Sequence, residues 1–407
     1  MPVLRNIGQL ATCPADNAQQ DAGLIDGAAL VWEQDKVLWS GREQHLPIEF
    51  ADQPSFDCQQ KLVIPGLIDC HTHLCFGGWR GNEFEMRLQG RSYQEIGAAG
   101  GGIRSTVAAT RSASAGELLE KAGSALKAML ELGVTTVECK SGYGLEAATE
   151  IKQLEVYAQL DNQQAIDLIP TFLGAHMVPD EYNERRGEYI RLLCDVMIPE
   201  VSTRKLARFC DVFAEESAFN IDEAREILQT AQRAGLGLKV HADQLSDGGG
   251  AELAAELGAV SAEHLEYISK NGIDALAKSG TVAVSLPLAS LYLREAYLPA
   301  RAMLDKGIKV AVATDFNPGS APSYHLPLAM TLACINQQMT PQEVLVGATT
   351  VAARAVSIEN HAGSLLPGYT ADIAIMDAPS LNHWLYHFRG NACNAVIKSG
   401  QWQKPLS

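Results

Sequence analysis

The sequence predicts an α/β protein: a (β/α)8 TIM-like barrel with a small β-sandwich domain formed by the N- and C-terminal segments. Three observations lead there. The middle of the chain alternates short β-rich apolar runs with longer amphipathic segments, the pattern of parallel strands joined by helical crossovers. Eight such runs occur over roughly 250 residues, the usual size of a closed barrel. Each end of the chain carries strand patterns too few to make a stable sheet alone, so the two ends are expected to pair. A doubly wound open sheet is the competing arrangement.

Taken in order, residues 28–39 read as two strands around Glu33-Gln34-Asp35-Lys36. Barrel strands fall at 62–69, 134–139, 165–172, 207–214, 236–242, 259–265, 281–287 and 309–315. Between them, Ile221, Ala224, Ile227, Leu228 and Ala231 share a helix face, opened by Asn220 as N-cap with Glu223 three residues on. Ile151, Leu154, Tyr157 and Ala158 mark another face. Strands return at 372–376 and 395–402, the latter turning at Ser399-Gly400. The expected domains are therefore 62–358 for the barrel, with 1–61 and 359–407 as the two parts of the small β domain.

The 407 residues are 47% hydrophobic and 20% charged, which excludes disordered and fibrous classes. A net charge of −16 with no basic patch argues against a nucleic-acid partner. The opening segment lacks a basic stretch followed by an apolar core, and the most apolar run, 281–293, is short and broken by Ser285 and Pro287. No signal peptide or membrane span is expected. Nine scattered cysteines without Cys-x-x-Cys spacing disfavour a disulfide framework and point to the cytoplasm.

Catalytic groups of such barrels sit at the C-terminal ends of the strands. There the chain places His71-Thr72-His73, Lys140 and Tyr143, His176, Glu215 and Glu216, His241 and Gln244, His264, and Asp315 with Asn317. A spacing of two in an extended chain puts His71 and His73 on one face. His241 adds a third nitrogen and Asp315 a carboxylate, a set suited to one Zn²⁺ or iron ion with a position open for water. A lone His-x-His is more often surface decoration. Here it follows the apolar run LVIPGLID and is joined by two further donors at strand ends. The glycine-rich 98–106, AAGGGIRST, lacks the Lys-Ser/Thr of a phosphate loop and reads as a flexible loop, with 97–102 a possible active-site lid. Cys70 and Cys75 flank the histidine pair and read as packing residues.

At these residues the chain resembles the amidohydrolase superfamily of metal-dependent hydrolases. The likeness rests on VIPGLIDCHTH (63–73), KVHADQ (239–244), AEHLE (262–266), ATDFNPGS (313–320) and GSLLPGYTADIAI (363–375). SGYGL (141–145), GGGIRST (100–106) and HADQLSDGGG (241–250) resemble the branch that opens the ring of 4-imidazolone-5-propanoate in histidine degradation. The resemblance implies metal ligation by His71, His73, His241 and Asp315. Dinuclear members bridge two metals through a lysine on strand four, which this chain lacks, so one ion per chain, Zn²⁺ or Fe³⁺, is expected. Lys140 follows strand two and reads as a rim or structural residue.

The resemblance further implies substrate binding by Arg80, Tyr143, His176, Gln244, Asn317, Gly319 and Ser320, with Tyr93 and Arg104 weaker candidates. Arg80 suits a carboxylate because its planar fork donates two parallel hydrogen bonds. Gln244 stands where some relatives carry Glu, and an amide cannot act as a base. Proton transfer is therefore expected at Asp315, with His264 orienting the attacking oxygen and Asp315 or His176 protonating the departing nitrogen. The expected partner is a small-molecule substrate, and a homodimer is implied by resemblance. Another cyclic-amide hydrolase or a deaminase is the nearest alternative; a non-catalytic scaffold is opposed by the full set of ligands.

Overall fold

The computed structural model describes residues 1–91, 95 and 100–406. The chain opens with β1 (Val3–Ala11), β2 (Leu24–Glu33), β3 (Lys36–Arg42), β4 (Ser55–Asp57) and β5 (Leu62–Pro65). It then builds β6 (Leu67–Asp69), β7 (Val134–Lys140), β8 (Asp167–Ala175), β9 (Phe209–Ala214), β10 (Gly237–Ala242), β11 (Ser261–His264), β12 (Val282–Ser285) and β13 (Val310–Val312). It closes with β14 (Ile373–Met376), β15 (Cys393–Lys398) and β16 (Gln401–Lys404).

β6 to β13 are parallel and adjacent in chain order. The two ends of this sheet meet: Asp315 N donates to His71 O at 3.1 Å and His73 N to Phe316 O at 2.9 Å. That closure makes a barrel and excludes the doubly wound sheet, whose strand order would reverse. The remaining strands form one mostly antiparallel sheet, ordered β16-β15-β14-β5-β1-β2-β3 with β4 beside β1. Trp32 of β2 donates from Nε1 to Gly400 O at 3.0 Å, and its ring lies 6.4 Å from Trp402 of β16. Strands distant in the order thus touch, so the sheet curls around a core of its own that includes Leu4, Ile7, Leu30, Val63, Ile373 and Ile397. Both ends of the chain build it, as their lone strand patterns required.

Four details differ from the sequence reading. The run 62–69 is two strands, because β5 pairs with β1 and β14 whereas β6 pairs with β7. Gly66 sits at the change of sheet, where a Cβ would stand 2.3 Å from Thr135 Oγ1. The long β1 escaped the reading because a register shift between Leu4 and Ile7, with Asn6 at φ 53°, breaks its period of two. The last barrel strand stops at Val312, and 313–315 leave the ladder to cross the closing seam. Ala158 is exposed; Val156 and Leu160 complete the buried face of the helix Ala147–Asp161 instead. The helix Ile221–Arg233 opens as expected: Asn220 accepts from the Asp222 and Glu223 amides, and Glu223 returns the bond.

Candidate metal centre

His71 and His73 follow β6 directly, His241 lies within β10, and Asp315 follows β13 across the seam. All four are buried. Asp315 Oδ1 lies 3.3 Å from His71 Nε2 and 3.4 Å from His73 Nε2, and His241 Nε2 lies 3.4 Å from His73 Nε2. His71 Nε2 is nevertheless buried without a hydrogen bond. Nitrogen and oxygen ligands ~2.0–2.1 Å from a common tetrahedral centre would stand about 3.3–3.4 Å apart, so these separations fit donors arranged around one small cation. The His264 ring lies 5.3 Å from that of His241, and with His71 and His241 it forms a second buried group of nitrogens beside the one made by His71, His73 and Asp315. Asp315 and His264 take positive φ, 56° and 77°, a strained conformation for side-chain-bearing residues that recurs at functional sites.

Beneath the donors lies a layer of buried charge. The outer nitrogen of His241, Nδ1, lies 2.9 Å from Asp211 Oδ2, and that of His71 contacts Glu263. Carboxylates placed there fix the ring orientation and leave Nε2 free to face the neighbouring donors. Lys140 Nζ stands 2.8 Å from Glu138, 2.9 Å from Asp211 and 2.9 Å from Glu263, and Lys239 holds the other oxygen of Glu263 at 2.5 Å. Lys140 is therefore a wholly buried hub inside the barrel, below the rim where the sequence placed it. Burial opposes ionised Glu263, yet Lys140 and Lys239 hold it well below the usual carboxylate range. Burial pushes His241 down to about 3 and His73 well below its ordinary value, which keeps both imidazoles neutral. Burial also disfavours a charged His71, but Glu263 and Asp315 on its two sides raise it to about 9. A cation bound there must displace that proton.

Around the donors, Tyr143 packs its ring 5.7 Å from His73 and 5.4 Å from His176. Burial and the charge of Asp315 push its phenol up while Arg80 opposes them, so these three groups share one neighbourhood. The Glu150 carboxylate, accepting from the Gly142, Gly144 and Leu145 amides, shapes the turn that carries Tyr143. Gly142 adopts φ 104°, and a Cβ there would meet Leu173 O at 2.9 Å. His176 stacks on His73 at 5.1 Å with Nδ1 3.0 Å from Gly142 O; burial lowers it to about 4. Ser320 Oγ lies 3.3 Å from Asp315 Oδ2.

The Asn317 amide is spent within its own loop, donating to Asp315 O and Ser320 Oγ and accepting from the Gly319 and Ser320 amides. Gln244 is half-buried, and its side chain makes no hydrogen bond among the described residues. Glu215 takes the Leu245 amide at 3.0 Å and the Ser246 hydroxyl, steadying the segment after Gln244. Arg104 is a half-exposed partner of Asp180 at 2.8 Å. Tyr93 and part of 97–102 lie outside the described residues. Cys70 and Cys75 are both buried.

The sequence reading passed over Glu138, Asp211, Lys239 and Glu263. Their signal was present: charged residues inside otherwise apolar strands, with Lys239 two before His241 and Glu138 two before Lys140, hence facing the same way.

A closed parallel barrel whose rim gathers imidazoles and a carboxylate onto one point defines a metal-dependent hydrolase, and the chain belongs to the amidohydrolase family, which it matches over residues 62–402. Within that class its likeness is narrower. It is 46% identical over 404 residues to the imidazolonepropionase of Fusobacterium nucleatum, covering 98% of each chain, and 44% identical over 409 residues to that of Geobacillus thermodenitrificans, covering 98% of this chain and 96% of the other. A solved zinc complex of atrazine chlorohydrolase from Arthrobacter aurescens shares the fold, with a TM-score of 0.73 at 16% identity over 99% of this chain and 95% of that one.

Proposed function

We propose that the protein hydrolyses the ring C–N bond of 4-imidazolone-5-propanoate, giving N-formimidoyl-L-glutamate. The full-length likeness to imidazolonepropionases supports the substrate, and the observation that carries the chemistry is that Asp315 Oδ1 stands 3.3 and 3.4 Å from His71 and His73, with His241 Nε2 3.4 Å from His73, each a tetrahedral-edge separation. Zn²⁺ or Fe³⁺, one ion per chain, suits that donor set, and when bound it would lower the pKa of water toward ~7 and polarise the ring carbonyl.

The chain's own groups supply the rest. Asp315 turns Oδ1 toward His71 and His73, which leaves Oδ2, near Ser320 Oγ, to accept the proton of the attacking water. His264 orients that oxygen. After the carbonyl carbon has gained oxygen and the ring C–N bond breaks, Oδ2 returns the proton to the departing nitrogen. His176, lowered to about 4 by burial, is neutral near pH 7 and better suited to binding the substrate than to protonating it. Its Nδ1 hydrogen faces Gly142 O, leaving Nε2 as an acceptor. Arg80 receives the propionate, and Tyr143, Gln244 and Ser320 hold the ring, with Asn317 and Gly319 shaping the loop.

A homodimer in the cytoplasm accompanies this reading. The nine free cysteines suit a reducing compartment, and among the described residues no helix is long and apolar enough to cross a membrane. The test is elemental analysis beside an absorbance assay with freshly generated imidazolonepropionate: about one metal per chain and loss of the imidazolone band are expected. Turnover of other cyclic amides but not this one would overturn the reading.

A further inference from the structure

Arg80 is fixed before any substrate arrives. Its Nε donates to Glu83 Oε2 at 2.9 Å, Nη2 stands 2.8 Å from the same oxygen as an ion pair, and both side chains are 9% exposed. That contact uses the side-on edge of the guanidinium. The end-on edge, Nη1 with the second Nη2 hydrogen, has no hydrogen-bond partner among the described residues. Nη1 faces the loop that carries Asp315, since a Cβ at Gly319 would stand 2.2 Å from it. The other oxygen of Glu83 accepts from the Gly102 amide at 2.9 Å, and Gly102, at φ 79°, opens the helix Ile103–Ser112. One buried carboxylate therefore holds the guanidinium, through a single oxygen, and the start of that helix, through the other.

We propose that Glu83 is a positioning residue that sets the enzyme's specificity for a carboxylate-bearing substrate. It presents the end-on edge of Arg80, whose two N–H groups match the two oxygens of a carboxylate. Arginine otherwise gives up much rotamer freedom on binding, and Glu83 has removed that freedom in advance. The proposal rests on the assignment of Arg80 to the propionate. It opposes a simple charge argument: deleting the Glu83 charge would strengthen the pull of Arg80 on an anion and lower KM, whereas losing the clamp weakens two-point binding and raises it.

The experiment compares KM and kcat of the metal-loaded enzyme for imidazolonepropionate and for its propionamide analogue, which has no carboxylate. Glu83→Gln should raise KM for the acid about tenfold or more, leave kcat and metal content within twofold, and leave KM for the amide unchanged. Glu83→Asp, read by the same ratio of KM values, should recover part of the loss, and it stands in if the glutamine variant folds poorly. Arg80→Met separates the two levels of the argument. If Arg80→Met raises KM for the acid but Glu83→Gln leaves it unchanged or lowers it, the positioning role is overturned while the Arg80 assignment stands. If Arg80→Met leaves it unchanged, the assignment fails and the inference with it. Equal losses for acid and amide in Glu83→Gln would also overturn it, since a general structural role moves both.

Discussion

Replacing Lys140 with Met removes the cation to which three buried carboxylates are joined at 2.8–2.9 Å, and it does so with little change in side-chain volume. The remaining partners are unequal. Glu263 keeps Lys239, Asp211 keeps His241, and Glu138 keeps neutral groups only, the Thr171 hydroxyl and the Thr72 amide. Glu138 is thus left with neither a cation nor an imidazole beside it, whereas Asp211 keeps the ring nitrogen of His241 at 2.9 Å. Breaking one partner from such a pair costs ~3–5 kcal/mol, a large share of the ~5–15 kcal/mol that a folded domain has in hand. Asp211 and Glu263 also lose the common anchor that aims them at His241 and His71, for which a 10–100-fold loss of metal affinity is the usual scale. The assays are chemical unfolding of the metal-loaded protein and zinc competition against a chromogenic chelator. The double variant Lys140→Met, Glu138→Gln should recover much of the stability, because the orphaned charge is gone. A single variant that loses less than about 1 kcal/mol and binds zinc as tightly as the parent would refute the reasoning.

Further outcomes follow from the same geometry. Asp315→Asn should lose turnover by more than its loss of metal explains, while His264→Ala should keep its metal and react more slowly; metal analysis beside kinetics decides, and a near-normal rate for Asp315→Asn at full occupancy would remove the proton-transfer role. His176 is neutral in the folded chain down to about pH 4, whereas the unfolded chain protonates near pH 6.5. The unfolded state then binds more protons, so the contribution of His176 is complete above pH 6.5 and is lost as the pH falls toward 4, by up to ~1.4 kcal/mol per unit and about 3 kcal/mol in all. The chelated His176→Asn protein should show a correspondingly flatter fall in stability between pH 6.5 and 4, and an unchanged slope would refute the assignment. Burial pushes the Cys13, Cys58, Cys75 and Cys393 thiols up to about 12, so iodoacetamide at pH 8 should label them only after unfolding, as peptide mass spectrometry would show.

The sequence alone determined the barrel, the joining of the two ends and the ring of polar residues at strand ends, because each is written in local periodicity. A spacing of two places His71 beside His73, and alternating apolar runs specify parallel strands wherever they lie in the chain. Tertiary structure decided what local pattern does not carry. The strand read at 62–69 divides between two sheets at Gly66, because only the packed Thr135 side chain forbids a Cβ there. Asp315 reaches the histidines from beyond its strand, by backbone bonds across a seam between residues 240 or so positions apart. The charges of Glu138, Asp211, Lys239 and Glu263 stand singly inside strands, where local pattern assigns them no partner. They become a paired network only when barrel closure brings them within bonding distance of Lys140, His71 and His241, where low dielectric makes each pairing decisive.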